Sequence, residues 1–246
     1  MRFGIITINH GRPAILHLWC ASIKRLRKET GIDFPVVCVS ESEDEQRCAE
    51  YGITHITADN SLGSEKWNLG VARLRELDID FMVVTGSDDI FSTQTLVDLM
   101  TAMEQGYDMI GFHKVYIYCV EGRWQGQLRL VTTRTVLGVG KTLSRRVLEK
   151  VNWQPWTYAT PRRWGMDAIL SRNTNQYCQS RLVIDGVIVD CKTSQSLNKF
   201  SMFVHNRRSV NADRNIFMNI LGEEERMILR TFAGSNLNDY FSAIRR

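Results

Sequence analysis

Short apolar runs alternate with amphipathic stretches through the first quarter of the chain. Phe3 to Ile8 and Pro35 to Val39 are apolar and strand-favouring, and Ile53 to Thr57 is a third predicted strand. Between the first two, apolar residues recur at helical spacing after Pro13, a residue that favours the first turn of a helix. A shorter helix is predicted at 43–51. This strand–helix alternation predicts a parallel sheet with right-handed crossovers.

Further along the chain the pattern changes from strand–helix units to strand pairs. Phe81 to Val84 is apolar without interruption, which is typical of a strand covered on both faces. The segments 114–120 and 124–130 then predict an antiparallel hairpin. A second hairpin is predicted around Asp185-Gly186, between 182–184 and 187–189.

Two helical patterns, Ile216 to Leu221 and Glu223 to Phe232, end the chain and indicate a packing helix or a lid. The whole pattern predicts an α/β protein with one Rossmann-like domain. Its central sheet is expected to be mostly parallel and flanked by helices, with an antiparallel part in the second half.

Two adjacent carboxylates, Asp88 and Asp89, follow the fourth strand. The carboxyl ends of central parallel strands border the crevice where open α/β sheets bind ligands. Adjacent carboxylates repel each other unless a cation or a shared proton neutralises part of their charge. Mg²⁺ and Mn²⁺ bind such oxygen ligands. The alternative is that Asp88 caps the following helix, at 92–104, or that the pair lies in an ordinary turn. The pair alone favours neither.

Composition is that of an ordinary globular protein. The 246 residues, 43% hydrophobic and 24% charged, fit one large α/β domain, and no apolar run approaches the ~20 residues that cross a membrane. The chain enters a strand pattern at once, without a signal-peptide cleavage site, and its six cysteines show no Cys-x-x-Cys spacing. These features favour a cytoplasmic protein with reduced thiols. The net charge of +4 suits an anionic substrate but is too small to indicate nucleic acid.

Two stretches suggest phosphate binding to different degrees. Gly63-Ser64 predicts a turn and cap before a helix that begins with Lys66 and Asn68, close to where an anion would meet the helix amino end. Residues 138–142, Gly-Val-Gly-Lys-Thr, resemble a phosphate-binding loop. That motif needs four residues between its glycines, so this interpretation is rejected.

The region from Trp124 to Trp164 contains four of the six tryptophans. Flat aromatic faces suit sugar rings or nucleic-acid bases, although any single Trp is as often a core residue. Asp167 begins the next helix, where a carboxylate is often only a cap or a dipole partner. Basic residues of this region could meet a phosphorylated acceptor, but surface arginines are more often merely solvated: Arg145, Arg146, Lys150, Arg162 and Arg163.

In their order, these pieces resemble the nucleotide-sugar glycosyltransferases with a GT-A fold, in particular the large inverting family 2 with its Asp-x-Asp or Asp-Asp metal motif. The residues that carry the resemblance span most of the first 175 positions: Thr7-Ile8-Asn9-His10-Gly11-Arg12-Pro13, Ser40-Glu41, Gly63-Ser64-x-Lys66-x-Asn68-x-Gly70, Gly86-Ser87-Asp88-Asp89 and Gly165-Met166-Asp167. The chain departs from the family at Gly86, where an Asp often stands, and at Met166, where Glu is usual.

The resemblance implies that residues 1–112 bind the nucleotide sugar and 113–246 bind the acceptor. The implied donor-binding residues are Thr7, Asn9, Arg12, Glu41, Lys66, Asn68 and Asp88. Asp89 and Asp88 would bind Mn²⁺ or Mg²⁺, with His205 as a further ligand, although a lone His beside an apolar strand is more often structural. Asp167 would be the general base that deprotonates the acceptor hydroxyl.

The leading hypothesis is therefore a metal-dependent glycosyltransferase that moves a sugar from a nucleotide-diphosphate sugar to a hydroxyl group with inversion. The acceptor would be a saccharide, a lipid-linked sugar, or hydroxylated DNA bases such as phages carry. One alternative is a nucleotidyltransferase, which would want a Gly-rich phosphate loop after the first strand. Another is a non-catalytic nucleotide- or carbohydrate-binding module, which the departures at Gly86 and Met166 favour.

Overall fold

The computed structural model describes residues 1–60, 63–157, 165–196, 200–204 and 209–233. The strands in chain order are β1 (Phe3–Ile8), β2 (Val36–Ser40), β3 (Thr54–Thr57), β4 (Phe81–Val84), β5 (Asp89–Phe91), β6 (Met109–Phe112), β7 (Lys114–Cys119), β8 (Leu128–Thr132), β9 (Thr142–Ser144), β10 (Arg181–Ile184), β11 (Ile188–Lys192) and β12 (Ser209–Asn211). The α-helices are α1 (Pro13–Thr30), α2 (Glu45–Glu50), α3 (Gly63–Glu76), α4 (Thr93–Glu104), α5 (Arg145–Lys150), α6 (Met166–Thr174), α7 (Ser201–Val204), α8 (Arg214–Ile220) and α9 (Glu223–Ala233).

A seven-stranded central sheet has the order β10-β6-β9-β4-β1-β2-β3. β1 pairs in parallel with β2 on one side and β4 on the other, so that Ile5 lies opposite both Val36 and Val83. β9 runs antiparallel to β4 and β6, while β10 is parallel to β6. The prediction of an α/β protein with a mostly parallel central sheet is confirmed.

Alternate residues of the central strands face two hydrophobic clusters, as the period of two in a strand requires. Ile5 and Val83 pack into the cluster formed with α1, α4 and the second sheet. Ile6 and Val84 pack into the cluster formed with α3, α5 and α6. The continuous apolar runs of these strands therefore reflect a sheet that is buried on both faces.

A second sheet has the order β12-β8-β7-β11-β5. β7 and β8 are antiparallel neighbours, as predicted, with Tyr116 opposite Leu130. The hairpin predicted around Asp185-Gly186 is wrong. β10 pairs with β6 in the central sheet, whereas β11 lies in the second sheet between β7 and β5. The turn signal was present, but it carries the chain from one sheet to the other.

The helix termini settle two further expectations. Ser92 caps α4, because its side chain accepts a hydrogen bond from the Thr95 amide; the alternative in which Asp88 caps this helix is wrong. At the chain end, α9 packs against α1, where Arg25 donates to Glu225 at 2.6 Å and to the Phe91 carbonyl at 2.8 Å. Both ionic partners are buried, so α9 is a packing helix that is tied to β5.

No helix within the described ranges is both long and apolar enough to span a membrane. The six cysteines are free thiols, and five of them are buried. The cytoplasmic location stays a prediction, as does the division of tasks between residues 1–112 and 113–246. Strands cross that division: β5 from the first part lies in the second sheet, and β9 and β10 from the second part lie in the central sheet.

Candidate active site

Three carboxylates meet just beyond the carboxyl end of β4. Asp88 lies in the turn after β4, Asp89 begins β5, and Asp190 stands directly opposite Asp89 on β11. One oxygen from each of the three side chains lies within 4.8 Å of the others. The Cys191 amide donates to the Asp88 carbonyl at 2.8 Å and fixes the turn against β11. We call these three residues the acid cluster.

Two buried cations hold the acid cluster together. Arg12 Nη1 donates to Asp88 Oδ2 at 2.6 Å, and Lys192 Nζ lies 3.4 Å from the same oxygen. Lys192 also donates to Asp190 Oδ2 at 2.6 Å. The Lys192 side chain is 7% exposed and that of Arg12 is 13% exposed, so these pairs are largely shielded from solvent screening.

The three carboxylates titrate differently because their neighbours differ. Burial alone would raise the pKa of Asp88, but Lys192 and Arg12 outweigh it and lower the pKa to about 2. Burial, with the charges of Asp190 and Asp88, raises the pKa of Asp89 well above its usual range. Burial raises the pKa of Asp190 to about 7, against the pull of Lys192. Two cations are therefore too few to keep all three groups ionised.

The acid cluster fits a hard divalent cation. Asp190 Oδ1 is buried and, among the described residues, has no hydrogen-bond partner. Asp89 uses one oxygen, Oδ2, to accept from the Gly86 amide. Buried carboxylate oxygens that face one another are the ligands Mg²⁺ and Mn²⁺ prefer, and a divalent ion would supply the missing positive charge. Asp89, Asp88 and Asp190 would hold it; the predicted ligand His205 lies outside the described residues.

Gly86 has a steric reason to be a glycine. A Cβ at this position would lie 2.6 Å from Asp88 Oδ1 and 2.9 Å from Asp89 Oδ2, so the two carboxylates occupy the space of a side chain. The departure from the family pattern at Gly86 is thus matched by a third carboxylate from elsewhere. That residue, Asp190, escaped sequence reasoning because it lies 102 positions after Asp88, next to a misread hairpin.

The loop after β1 is joined to the acid cluster by hydrogen bonds. Asn9 accepts from Ser87 Oγ at 3.0 Å and donates to Asp44 Oδ2 at 2.8 Å. Arg12 Nη2 donates to the same Ser87 hydroxyl at 2.9 Å. The structure therefore brings the predicted residues Asn9 and Arg12 together with Asp88: Arg12 contacts Asp88 directly, and the Ser87 hydroxyl joins Asn9 to Arg12.

Lys66 also reaches this loop, from the first turns of α3. Its Nζ donates to the Asn9 carbonyl at 2.6 Å and to Asn60 Oδ1 at 2.7 Å. The side chain is buried, and burial lowers the pKa of Lys66. Its ammonium group is thus fixed beside the loop by two neutral oxygens, which leaves its charge available to an anion.

The other predicted donor residues lie apart from this network. Thr7 is buried in β1, and its hydroxyl has no hydrogen-bond partner among the described residues. Glu41 is partly exposed at the end of β2. Asn68 Oδ1 accepts from the Trp156 amide at 3.2 Å; being two residues from Lys66 on a helix, it projects in a different direction.

Asp167 lies in the first turn of α6, with its carboxylate against the backbone of Gly138. The following Gly140 amide donates to the carbonyl of Val84, the last residue of β4, at 2.8 Å. Asp167 therefore lies at the same edge of the sheet as the acid cluster. Although the residue is exposed overall, partial burial of the carboxylate raises its pKa, and the Lys141 charge opposes this.

The aromatic and basic residues of the second half are mostly structural where they are described. Trp67 stacks on Trp156 with ring centroids 4.8 Å apart, and Trp153 and Trp156 are buried in the core. Arg145 donates to Asp78 at 2.7 Å, and Arg146 to Asp108 at 2.8 Å. Three other residues of this aromatic and basic region, Arg162, Arg163 and Trp164, lie outside the described residues.

The chain is similar in fold to solved structures of S. aureus TarS. The TM-score is 0.55 at 14% identity for TarS, covering 78% of this chain and 37% of that chain. It is 0.53 at 13% identity for TarS 1-349 in complex with UDP, covering 78% and 61%. This chain thus spans less than two thirds of either protein. At this identity the likeness is one of fold alone.

A looser likeness, with a TM-score of 0.49 at 8% identity, exists to 4-diphosphocytidyl-2C-methyl-D-erythritol synthase from Anaerococcus prevotii, covering 93% of this chain and 96% of that chain. No protein-family model matches the sequence, and no curated protein matches it.

Proposed function

We propose that the protein is a metal-dependent glycosyltransferase that uses a nucleotide-diphosphate sugar and inverts the anomeric carbon. The observation that carries this is the acid cluster just beyond the carboxyl end of β4: the buried Asp88 and Asp89 and the partly buried Asp190 have only two cationic partners, Arg12 and Lys192, among the described residues. A site with this composition suits a divalent cation together with a diphosphate. The fold shared with TarS, which was solved with UDP, supports a nucleotide donor.

The residues of the first half have roles in donor binding. Lys66 places a cation beside the loop after β1, where it would neutralise the diphosphate, and Arg12 holds this loop to Asp88. Asn9 and Ser87 fix the loop and the turn relative to each other. Asp88, Asp89 and Asp190 would hold a divalent ion, which would supply Lewis-acid stabilisation of the leaving diphosphate.

Asp167 has the role of the general base. It takes the proton of the acceptor hydroxyl while the hydroxyl oxygen forms a bond to the anomeric carbon. The bond from that carbon to the diphosphate oxygen breaks, and the nucleoside diphosphate leaves with the bonding electrons. One displacement inverts the configuration and needs no covalent partner in the protein. The raised pKa of Asp167 suits a base that works near neutral pH.

Calorimetric titration with a panel of nucleotide-diphosphate sugars, with and without Mn²⁺, tests the proposal. We expect one donor to bind in Mn²⁺ at least ~10-fold more tightly than in EDTA, and to be hydrolysed slowly without acceptor. Transfer to a saccharide or lipid-linked acceptor should then give a product of inverted configuration. Equal affinity with and without metal would contradict the proposal.

The nucleotidyltransferase alternative predicts a reaction of different substrates. It requires a nucleoside triphosphate and a sugar phosphate, with release of pyrophosphate. The loop after β1 argues against it, since Asn9, Gly11 and Arg12 do not form a glycine-rich phosphate loop. A binding module without chemistry would bind the donor and leave it intact.

The DNA acceptor has weaker support than the saccharide acceptors. Of the five basic residues that favoured it, Arg145 and Arg146 already form ion pairs with Asp78 and Asp108. Their charge is then partly spent within the protein and contributes less to a phosphate-binding surface. Transfer assays with hydroxylated DNA as the acceptor, run beside those with saccharide and lipid-linked acceptors, distinguish the acceptor classes.

A further inference from the structure

The turn before β9, residues 138–141, contains a lysine to which the proposed function gives no task. Lys141 is 1% exposed, and its Nζ donates to Ser171 Oγ on α6 at 2.6 Å. A buried ammonium group is costly unless its charge is balanced. The negative charge that acts most strongly on Lys141 is Asp167; Cys178 acts in the same sense, and Arg181 opposes it.

Gly138, three residues earlier, is shaped around the same carboxylate. A Cβ at position 138 would lie 2.0 Å from Asp167 Oδ1, so any side chain would displace the Asp167 carboxylate. Gly138 does not have the left-handed backbone conformation that favours glycine, unlike Gly140. The carboxylate of Asp167 therefore occupies the space that a side chain at 138 would fill.

We propose that Gly138 and Lys141 form a cradle that positions the Asp167 carboxylate for proton transfer. Gly138 provides the space, Lys141 provides a buried positive charge, and Ser171 holds the lysine from the same helix that carries Asp167. This inference rests on the proposed role of Asp167 as the base. Lys141 and Gly138 are positioning residues, because they act on the reaction through Asp167.

The cradle resolves two opposing demands on the base. The carboxylate must be partly desolvated to be a good proton acceptor, and it must stay ionised at working pH. Packing against Gly138 desolvates it, which raises its pKa, and Lys141 keeps that rise within bounds. Among the described residues, Lys141 is the charged group that acts on Asp167.

The test combines variants of the cradle with two measurements. ¹³C NMR of labelled carboxyl groups measures the pKa of Asp167 in the resting protein, and steady-state kinetics over pH separates kcat from the donor KM. Lys141→Met should raise the pKa of Asp167 and move the acid limb of the rate profile to higher pH. Lys28→Met, which removes an exposed lysine on α1, is the matched control and should leave both unchanged.

Gly138→Ala should act through position. The displaced carboxylate becomes better solvated, so the pKa of Asp167 should fall, and kcat should drop by about 10-fold or more while the donor KM is unchanged. In an Asp167→Asn background, Gly138→Ala should cost almost nothing further, because the group it displaces is no longer the base.

Two outcomes would overturn the inference, and they differ from each other. If Asp167→Asn loses transfer while Gly138→Ala and Lys141→Met keep the native pKa and rate, the cradle is wrong and the base assignment stands. If Asp167→Asn itself keeps native transfer, the proposed base is wrong and the cradle has no task. Should Lys141→Met fail to fold, Ser171→Ala keeps the lysine but removes its hydrogen bond, and no change in pKa or rate would then count against the cradle.

Discussion

Two groups of carboxylates stand at the same edge of the central sheet, in opposite electrostatic situations. In the acid cluster, Asp88 and Asp190 have cationic nitrogens as close as 2.6 Å. Asp167 is exposed overall and its carboxylate lies against Gly138. Among the described residues, the charge that acts on it is that of the buried Lys141. Asp88, which is paired with two cations, has a lowered pKa and stays ionised as a fixed ligand, whereas Asp167 has a raised pKa and can accept a proton. The difference indicates binding on one side and reaction on the other.

The largest effect should come from Asp89→Asn. This change removes one of the three carboxylates that would hold a divalent ion, the one whose pKa is raised well above its usual range by burial and by the charges of Asp190 and Asp88. We expect transfer to fall on the order of 10³-fold or more, the scale of several kcal/mol of metal stabilisation. Nucleoside-diphosphate binding should weaken strongly in Mn²⁺ and little in EDTA, as measured by calorimetry. Glu104→Gln, at an exposed carboxylate, is the control; equal losses in both media would contradict a metal role.

Lys192→Met should destabilise the metal-free protein by about 3 kcal/mol, the cost of breaking a buried ion pair. Asp88 would keep its charge with one cation fewer, and the pKa of Asp190 would rise further because Lys192 lowers it. Chemical denaturation with and without Mn²⁺ measures the effect, and Mn²⁺ should restore more stability to the variant than to the native protein. Lys24→Met, which removes an exposed pair with Glu224, should cost under ~1 kcal/mol. A Lys192→Met protein as stable as native would show that the cluster does not need this cation.

Asp167→Asn should lower transfer by about 10²-fold while donor binding is nearly intact, the usual scale for a lost general base. The amide keeps the size of the side chain and removes the proton acceptor. In the native protein the rate should rise with pH through a value above the ordinary carboxylate range, since the pKa of Asp167 is raised. The comparison of donor affinity with kcat checks this. Near-native transfer, or a product with retained configuration, would reduce Asp167 to a helix-terminus residue.

The smallest effect should come from Asn68→Ala, compared with Lys66→Met. Asn68 bonds to the Trp156 amide, away from the loop after β1, so its loss should cost about 1 kcal/mol of stability and change the donor affinity less than twofold. Lys66→Met removes an ammonium group beside Asn9 and should weaken donor binding at least ~10-fold. Similar losses in both variants would show that the two residues act together, as the family resemblance implies.

The sequence predicted the parts of the fold that local patterns determine. β1, β2, β3 and β4 are apolar runs between helical segments, and their order in the sheet follows the rules for parallel units. Pro13 marks the start of α1 correctly. The helix predicted after Gly63-Ser64 is also present, although α3 begins at Gly63 itself and the predicted turn and cap form its first turn. These predictions held because period and turn chemistry are properties of neighbouring residues.

The sequence did not predict what depends on distant pairing. β5 has three residues, too few for a period, and it exists because β11 pairs with it. No motif in the sequence marks Asp190 and Lys192 as site residues, since an Asp-Cys-Lys run is ordinary at the end of a strand. The spacing of residues 138–142 does not fit a phosphate-binding loop. The contact between Gly138 and Asp167 depends on the fold and cannot be read from the sequence.

The hydrogen bond from the Cys191 amide to the Asp88 carbonyl has a consequence for synthesis of the chain on the ribosome. The parallel strands β1 to β4 are complete once residue 84 has emerged, and proteins fold largely from the amino terminus as they are made. Asp88 and Asp89 lack their partners, Lys192 and Asp190, until β11 is synthesised about a hundred residues later. A nascent chain stalled before residue 188 should contain the folded strands of the first half and bind no metal. The carboxylates of the candidate site are thus brought together only after β11 has been synthesised, on a sheet whose first strands have already formed.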